Sequence, residues 1–262
     1  MKRIISLLIF SMMIIGINIS GVHALEGTRI ISIRSAKNHQ LVVKCSRVAE
    51  SKGYQVQAAL DENFTSGVKI VSTSKARQTR LVLKNLMSGR IYYIHARSRN
   101  GNTYSEWSPT ALARVKISHK TSVYGQGLSH GMKQNVSHHI DEFVNKNISQ
   151  GMSEKEIVLK VYKYVATVHA DSNYSMPYKH HENTAWAVFN YAHAACSGFA
   201  RATKACFDAA GLTSRHVNAN KWTHQWVEVL ADGIWYHVDT QGQIISINGS
   251  NTYQLGTEDI TL

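Results

Sequence analysis

From about Leu25 to Ser118 the chain alternates in the two-residue period of β-strands, and beyond residue 135 its apolar spacing becomes helical. One layer cannot satisfy both periods, so the switch divides the chain into two structural halves. In the first half Leu41, Val43 and Cys45 alternate with Val42 and Lys44, and Tyr54, Val56 and Ala58 alternate with glutamines. Leu81 and Leu83 flank Val82, and Tyr92, Ile94 and Ala96 alternate with Tyr93, His95 and Arg97. Turn signals at Lys52-Gly53, Asp61-Glu62-Asn63, Ser88-Gly89 and Asn100-Gly101-Asn102 separate the runs. Seven short strands at this spacing predict an all-β sandwich over residues 25–118.

Residues 119–134 are rich in Ser, Gly and His, show no periodicity and read as a linker. A short helix is expected from Val136 to Ile148. Ser153-Glu154-Lys155-Glu156 is a capping box, and Ile157, Val161, Tyr164 or Val165, and Val168 then recur on one face. The expected architecture is multidomain: the β-sandwich, then an α+β domain over residues 135–262.

The first half resembles a fibronectin type III domain of the kind common in bacterial secreted proteins. The matching pieces are Gly53 to Gln57, Asn85-Leu86 before Ser88-Gly89, Tyr92 to Arg97, and Tyr104-Ser105-Glu106-Trp107-Ser108. Cys45 stands where such domains usually carry a buried tryptophan, which makes it a small core hydrophobe.

The chain opens with Lys2-Arg3, runs apolar from Ile4 to Ile17 and reaches a small-residue site at Val22-His23-Ala24. These features predict a signal peptide over residues 1–24 and a secreted, extracellular product, with cell-wall association as an option. The run is shorter than the roughly 18 apolar residues of a spanning helix, so no membrane span is expected after cleavage. The net charge of +12 includes Lys2 and Arg3, leaving +10 on the remainder. That excess favours anionic cell-surface polymers. The basic residues read as scattered and no nucleic-acid signature accompanies them, so no nucleic-acid partner is expected.

Three cysteines, Cys45, Cys196 and Cys206, form no disulfide framework. Cys196 and Cys206 fall on one expected helix, about 15 Å apart along its axis, whereas a disulfide needs Cα atoms within roughly 7 Å. The alanine-rich run from Gly198 to Ala210, closed by Gly211, places Cys196 at or just before a helix start. The helix dipole favours an anion there, and a thiolate is the nucleophilic form of cysteine. First-turn N–H groups can also face an oxyanion.

A second constellation lies downstream. Trp226-Val227-Glu228-Val229 and Ile234 to Val238 read as strands joined through Asp232-Gly233, a type I′ turn signal. If those two residues form the turn, Ala231 faces Ile234 and Trp226 faces Asp239. His224 then shares a face with Trp226 and becomes a diagonal neighbour of Asp239. A cysteine on a helix start with a histidine oriented by an acid is a nucleophile–base–orienter arrangement.

With these residues the second half resembles the transglutaminase-like superfamily, whose members share a papain-like core. The matching pieces are Cys196 to Ala200, Ala209 to Leu212, His224-Gln225-Trp226, and Trp235 to Thr240. The resemblance implies Cys196 as nucleophile, His224 as base and Asp239 as orienter. It places Tyr174, then Trp186, as the upstream aromatic that helps bind the oxyanion, with Trp226 also at the cleft. Gln225 departs from a common alanine, and Ala194-Ala195 from a frequent glycine; neither removes a catalytic group.

His138-His139 and His180-His181 are adjacent pairs whose members point apart, and no metal signature appears. No metal and no cofactor are expected. The expected activity is thiol-dependent acyl transfer from an amide on a protein or peptidoglycan-peptide substrate. Hydrolysis, as a peptidase or amidase, is preferred. The alternatives are transglutaminase-type cross-linking and a non-catalytic surface-binding or adhesion protein.

Overall fold

The computed structural model describes residues 24–167, 171–172, 180–191, 193–218, 224–247 and 250–254. The expected leader therefore lies, apart from Ala24, outside the described residues. Eight strands make up the first half: β1 (Ile30–Arg34), β2 (Leu41–Cys45), β3 (Gly53–Ala59), β4 (Lys69–Thr73), β5 (Arg80–Leu83), β6 (Ile91–Asn100), β7 (Thr103–Tyr104) and β8 (Ala111–Arg114). One sheet has the order β1-β2-β5; the other has β4-β3-β6-β7, with β8 also paired to β6. The inward residues of both sheets, among them Leu41, Val43, Cys45, Tyr54, Val56, Leu81, Tyr92 and Ile94, form one core. This is the alternation the sequence carries: each strand gives one face to the core and one to solvent.

On the outer face of the larger sheet the rings of Phe64, His95 and Trp107 stack at centroid spacings of 3.6 and 3.8 Å. The Arg97 guanidinium sits 3.9 Å over the Tyr104 ring and 4.2 Å over Trp107. Packed in this stack, His95 accepts a proton only with difficulty: burial, helped by the nearby Arg97 charge, pushes its pKa down to about 4.

The second half contains α1 (His130–Asn147), α2 (Glu154–Thr167), β9 (Asp171–Ser172), α3 (Ala185–Asn190), β10 (His193–Ala194) and α4 (Cys196–Ala209). A meander of β11 (Thr213–Asn218), β12 (Gln225–Ala231), β13 (Ile234–Asp239), β14 (Ile244–Ile247) and β15 (Ser250–Gln254) then forms a five-stranded antiparallel sheet in chain order. Helix α4 packs on β11 and β12 and is flanked by α2 and α3. The capping box at α2 forms: the Glu156 N–H donates to Ser153 Oγ, and the Ser153 N–H to Glu156 Oε2.

Helix α1 begins six residues before the expected Val136. Ser129 caps it by accepting the Met132 N–H. Its buried positions, Val136, Ile140, Phe143 and Val144, all lie further on, so the opening turn carries no strong apolar marker. The stretch read as a linker is also tied down. His119 bonds both the Tyr124 hydroxyl and Asp141, and Tyr124, only 1 % exposed, joins the second core.

The two halves meet backbone to backbone at the far end of α4. That helix closes with Gly211 at φ +83°, where the Leu212 N–H donates to the Phe207 carbonyl. A Cβ on Gly211 would lie 2.7 Å from the Ser88 carbonyl oxygen, and one on Gly89 would lie 2.5 Å from that of Ala209. Arg90 donates to the Met152 carbonyl, and Arg114 bridges the carbonyls of Gly89 and Ile148.

The His95 stack sets a pH response. The unfolded histidine takes a proton near pH 6.5 while the folded one does so only near pH 4. Stability contributed by neutral His95 is therefore complete above pH 6.5 and falls as the pH drops toward 4. Urea melts between pH 7 and 4 should show this decline, and His95→Gln should reduce it.

Candidate active site

Asp232 and Gly233 take φ values of 49° and 79°, the left-handed pair that a type I′ turn requires. Strands β12 and β13 pair from Ala231↔Ile234 to Val227↔Val238. One step further along this register Trp226 comes opposite Asp239. His224 lies two residues before Trp226, and its Nε2 sits 2.6 Å from Asp239 Oδ2.

The Asp239 carboxylate is held on both oxygens. Oδ1 accepts the backbone N–H groups of Gln241 (3.1 Å) and Gly242 (2.9 Å), leaving Oδ2 for the imidazole. The turn after β13 thus aims the acid before it meets His224. A Cβ on Gly242 would lie 2.4 Å from Oδ2, so only glycine leaves room for this pose. The Asp239 side chain is 6 % exposed and that of His224 is 38 % exposed. The acid is sealed in, while the ring keeps an open edge.

Cys196 is the first residue of α4. Its N-cap, Ala195, has no side chain to accept a first-turn N–H, and the Gly198 and Phe199 N–H groups instead reach the Ala195 carbonyl. The Ala195 N–H donates to the Glu182 carbonyl. A Cβ on Gly198 would meet that same carbonyl oxygen at 2.5 Å, so the Glu182–Thr184 backbone lies directly against the helix start. Seven residues after Cys196, on the same helical face, the Thr203 hydroxyl bonds the Thr240 hydroxyl at 2.8 Å. Both threonines are buried. This bond ties the Cys196 face of α4 to the residue following Asp239.

The remaining candidates divide. Trp226 lies beside His224, with ring centroids 6.4 Å apart, and stacks closer to His237 at 5.0 Å. Its indole Nε1 is buried and finds no hydrogen-bond partner among the described residues. Trp186, on α3, contacts the rings of His181 and Tyr191; no described contact joins it to Cys196 or His224. Tyr174 lies outside the described residues. Gln225 projects away from His224 and bonds His216 Nε2 at 2.8 Å, so its departure from alanine stays off the His224 face. Thr203, Gly242 and Glu182 stand outside every motif of the sequence, and Thr240 enters one only as the last residue of the Trp235 to Thr240 match. The spacing of Thr203 from Cys196 was the one signal available. Among the described residues no group of three or more His, Cys, Asp or Glu gathers as a metal site.

Residues 141–240 match the model of the transglutaminase-like superfamily, and the chain carries a transglutaminase-like core there. No curated protein matches the chain. Among solved structures, the chain is similar to the FN1-FN3 domains of chicken CNTN1, at 19% identity and TM-score 0.31, covering 34% of this chain and 30% of that one. It is also similar to the fn3 domain of human contactin 1, at 17% identity and TM-score 0.33, covering 40% of this chain and 84% of that one. The two-sheet strand order of the N-terminal sandwich stands on its own pairing.

The three thiols differ sharply in surroundings. Burial pushes the Cys45 thiol up to about 11 and raises that of Cys206 further. Those residues are 1 % and 0 % exposed, against 8 % for Cys196. In the folded protein at pH 7.5 iodoacetamide should alkylate Cys196 at least about ten times faster than the other two, since the thiolate is the reactive form. Peptide mass spectrometry over time checks this, and equal rates would contradict it. Gly242→Ala should displace the Asp239 carboxylate and cost about 1–3 kcal/mol, read as a lower urea midpoint.

Proposed function

We propose that the protein is a secreted cysteine enzyme that transfers the acyl group of an amide through a thioester on Cys196. The observation that carries this reading is the buried Asp239 carboxylate, held by two backbone N–H groups and bonded to a His224 ring with an open edge. With Nε2 bonded to Asp239, Nδ1 is the ring nitrogen left to take the Cys196 proton. The sulfur attacks the amide carbonyl, forming the C–S bond. His224 returns the proton to the departing amine as the C–N bond breaks. Water attacks the thioester, giving a proton to His224 and releasing the acid and the thiol. Asp239 stabilises the imidazolium that forms in both halves. The uncapped first turn of α4 supports the Cys196 N–H as an oxyanion donor.

Hydrolysis of a protein or cell-wall peptide is the preferred outcome, because water is the default acceptor at the open edge of His224. Residues 1–24 support secretion, with their basic start, apolar run and Ala24 site.

Incubation of purified protein with casein or peptidoglycan peptides, with and without a primary amine, tests the reading. Release of free acid that needs no amine is expected. Cys196→Ala should abolish turnover, and Asp239→Asn should lower kcat by about a hundredfold or more. Incorporation of the amine into substrate would assign cross-linking instead. Turnover unchanged in Cys196→Ala would overturn the assignment.

A further inference from the structure

We propose that Arg90 of the sandwich is a positioning residue for the candidate site: it steadies the clamp on the β12–β13 turn and so fixes the line along which His224 and Asp239 face Cys196. This role rests on the reading of Cys196 as nucleophile and His224 as base. It deepens that reading by making the sandwich part of the machinery.

Helix α4 and the hairpin come from different parts of the chain, and apolar packing joins them. Val227, Val229 and Ala231 share one core with Ala202, Ala205 and Ala209 of α4, and such contacts have no direction. Near the site the bond between Thr203 and Thr240 adds a directional tie. A single tie fixes a point and leaves the hairpin free to pivot about it. The turn supplies a second point, seven residues from Asp239 and about 23 Å along β13. There the Asp232 N–H donates to Glu154 Oε2 at 2.8 Å, and Asp232 Oδ2 accepts the Lys155 N–H at 3.1 Å. This reciprocal clamp on the start of α2 sets the direction of the hairpin. Direction matters, because a misplacement of about 1 Å in a reacting group can cost on the order of a hundredfold in rate.

Arg90 lies against that clamp. It is 3 % exposed, and its Nη2 donates at 2.6 Å to the carbonyl of Met152, two residues before Glu154. Nη1 is buried and finds no hydrogen-bond partner among the described residues. Arg114, at the same junction, spends both terminal nitrogens on carbonyls, those of Gly89 and Ile148. A buried guanidinium bonded so sparsely is costly unless opposite charge stands close by. Burial pulls the Arg90 pKa down, and Glu154, with Tyr92 and Asp232, opposes that pull. Glu154 and Asp232 are the two acids of the clamp. Arg90 offsets their mutual repulsion, which would otherwise push the turn away from α2. Its neighbour Gly89 presses on the Ala209 carbonyl at the end of α4. Residues 89 and 90 therefore reach the far ends of both elements, the helix with the nucleophile and the hairpin with the base.

The pH dependence of Cys196 alkylation in the full chain reads this role without any substrate. An imidazolium placed against the sulfur holds the reactive thiolate at lower pH. The pH of half-maximal rate therefore reports how well His224 meets Cys196. Arg90→Met, which keeps the aliphatic stem and removes the charge, should raise that pH by about half a unit or more. Arg90→Lys should recover most of the shift. Labelling of buried Cys45 and Cys206 in the same samples reports unfolding, and no gain there is expected. Glu154→Ala opens the clamp from its half-exposed side and should shift the profile in the same direction, which keeps the role testable where Arg90→Met does not fold. Arg114→Met breaks the same junction away from the hairpin; it should lower the urea midpoint and leave the profile in place. A profile unmoved in both Arg90→Met and Glu154→Ala, or moved equally in Arg114→Met, would overturn the role. His224→Gln separates the two readings. A profile that it does not move removes the base assignment and this role with it, whereas one moved by His224→Gln alone keeps the base and rejects Arg90.

Discussion

The candidate site depends on a two-residue turn. Asp232 and Gly233, both in the left-handed region, set the pairing of β12 with β13. A slip of one residue would send every side chain of one strand to the opposite face. His224 and Asp239 would then point apart, and the bond between them would be lost. The backbone loop after Asp239 adds the second constraint by occupying one carboxylate oxygen and directing the other at the imidazole. The pair is therefore preorganised by backbone geometry, which is stiffer than a contact between two free side chains.

Helix α4 links the rest of the molecule to that pair. Its start presents Cys196 against the Glu182–Thr184 backbone, its middle bonds Thr240 through Thr203, and its end rests on the Ser88–Gly89 loop of the sandwich. Close approaches at Gly198 and Gly211 leave little room for the helix to slide along its axis. The sandwich is therefore a brace for the helix that carries the proposed nucleophile.

Much of this was legible in the residues. Alternation marked the strands of the sandwich because each has one face in the core, and the capping box marked the start of α2. The His224–Asp239 neighbourhood followed from the turn because an antiparallel register, once anchored, extends strand by strand. The start of α1 was less legible, since Met132 is the one apolar side chain of its first turn and packs on the core only in part. Thr203 and Gly242 were silent for a different reason. Each acts through one contact with a residue distant in sequence or with a backbone turn, and a single polar residue carries no period.

Local order alone determined the two architectures, the order of cysteine, histidine and acid, and the glycine-ended helix behind Cys196. These are short-range properties, written in spacing and turn chemistry. Only the tertiary structure decided that the supposed linker is anchored through Tyr124 and that α4 is held at both ends. It also decided that Arg90 of the sandwich stands near the two carboxylates that hold the hairpin turn. Packing sets such neighbourhoods by bringing together residues tens of positions apart, and Glu154 meets Asp232 only when α2 and the hairpin lie side by side.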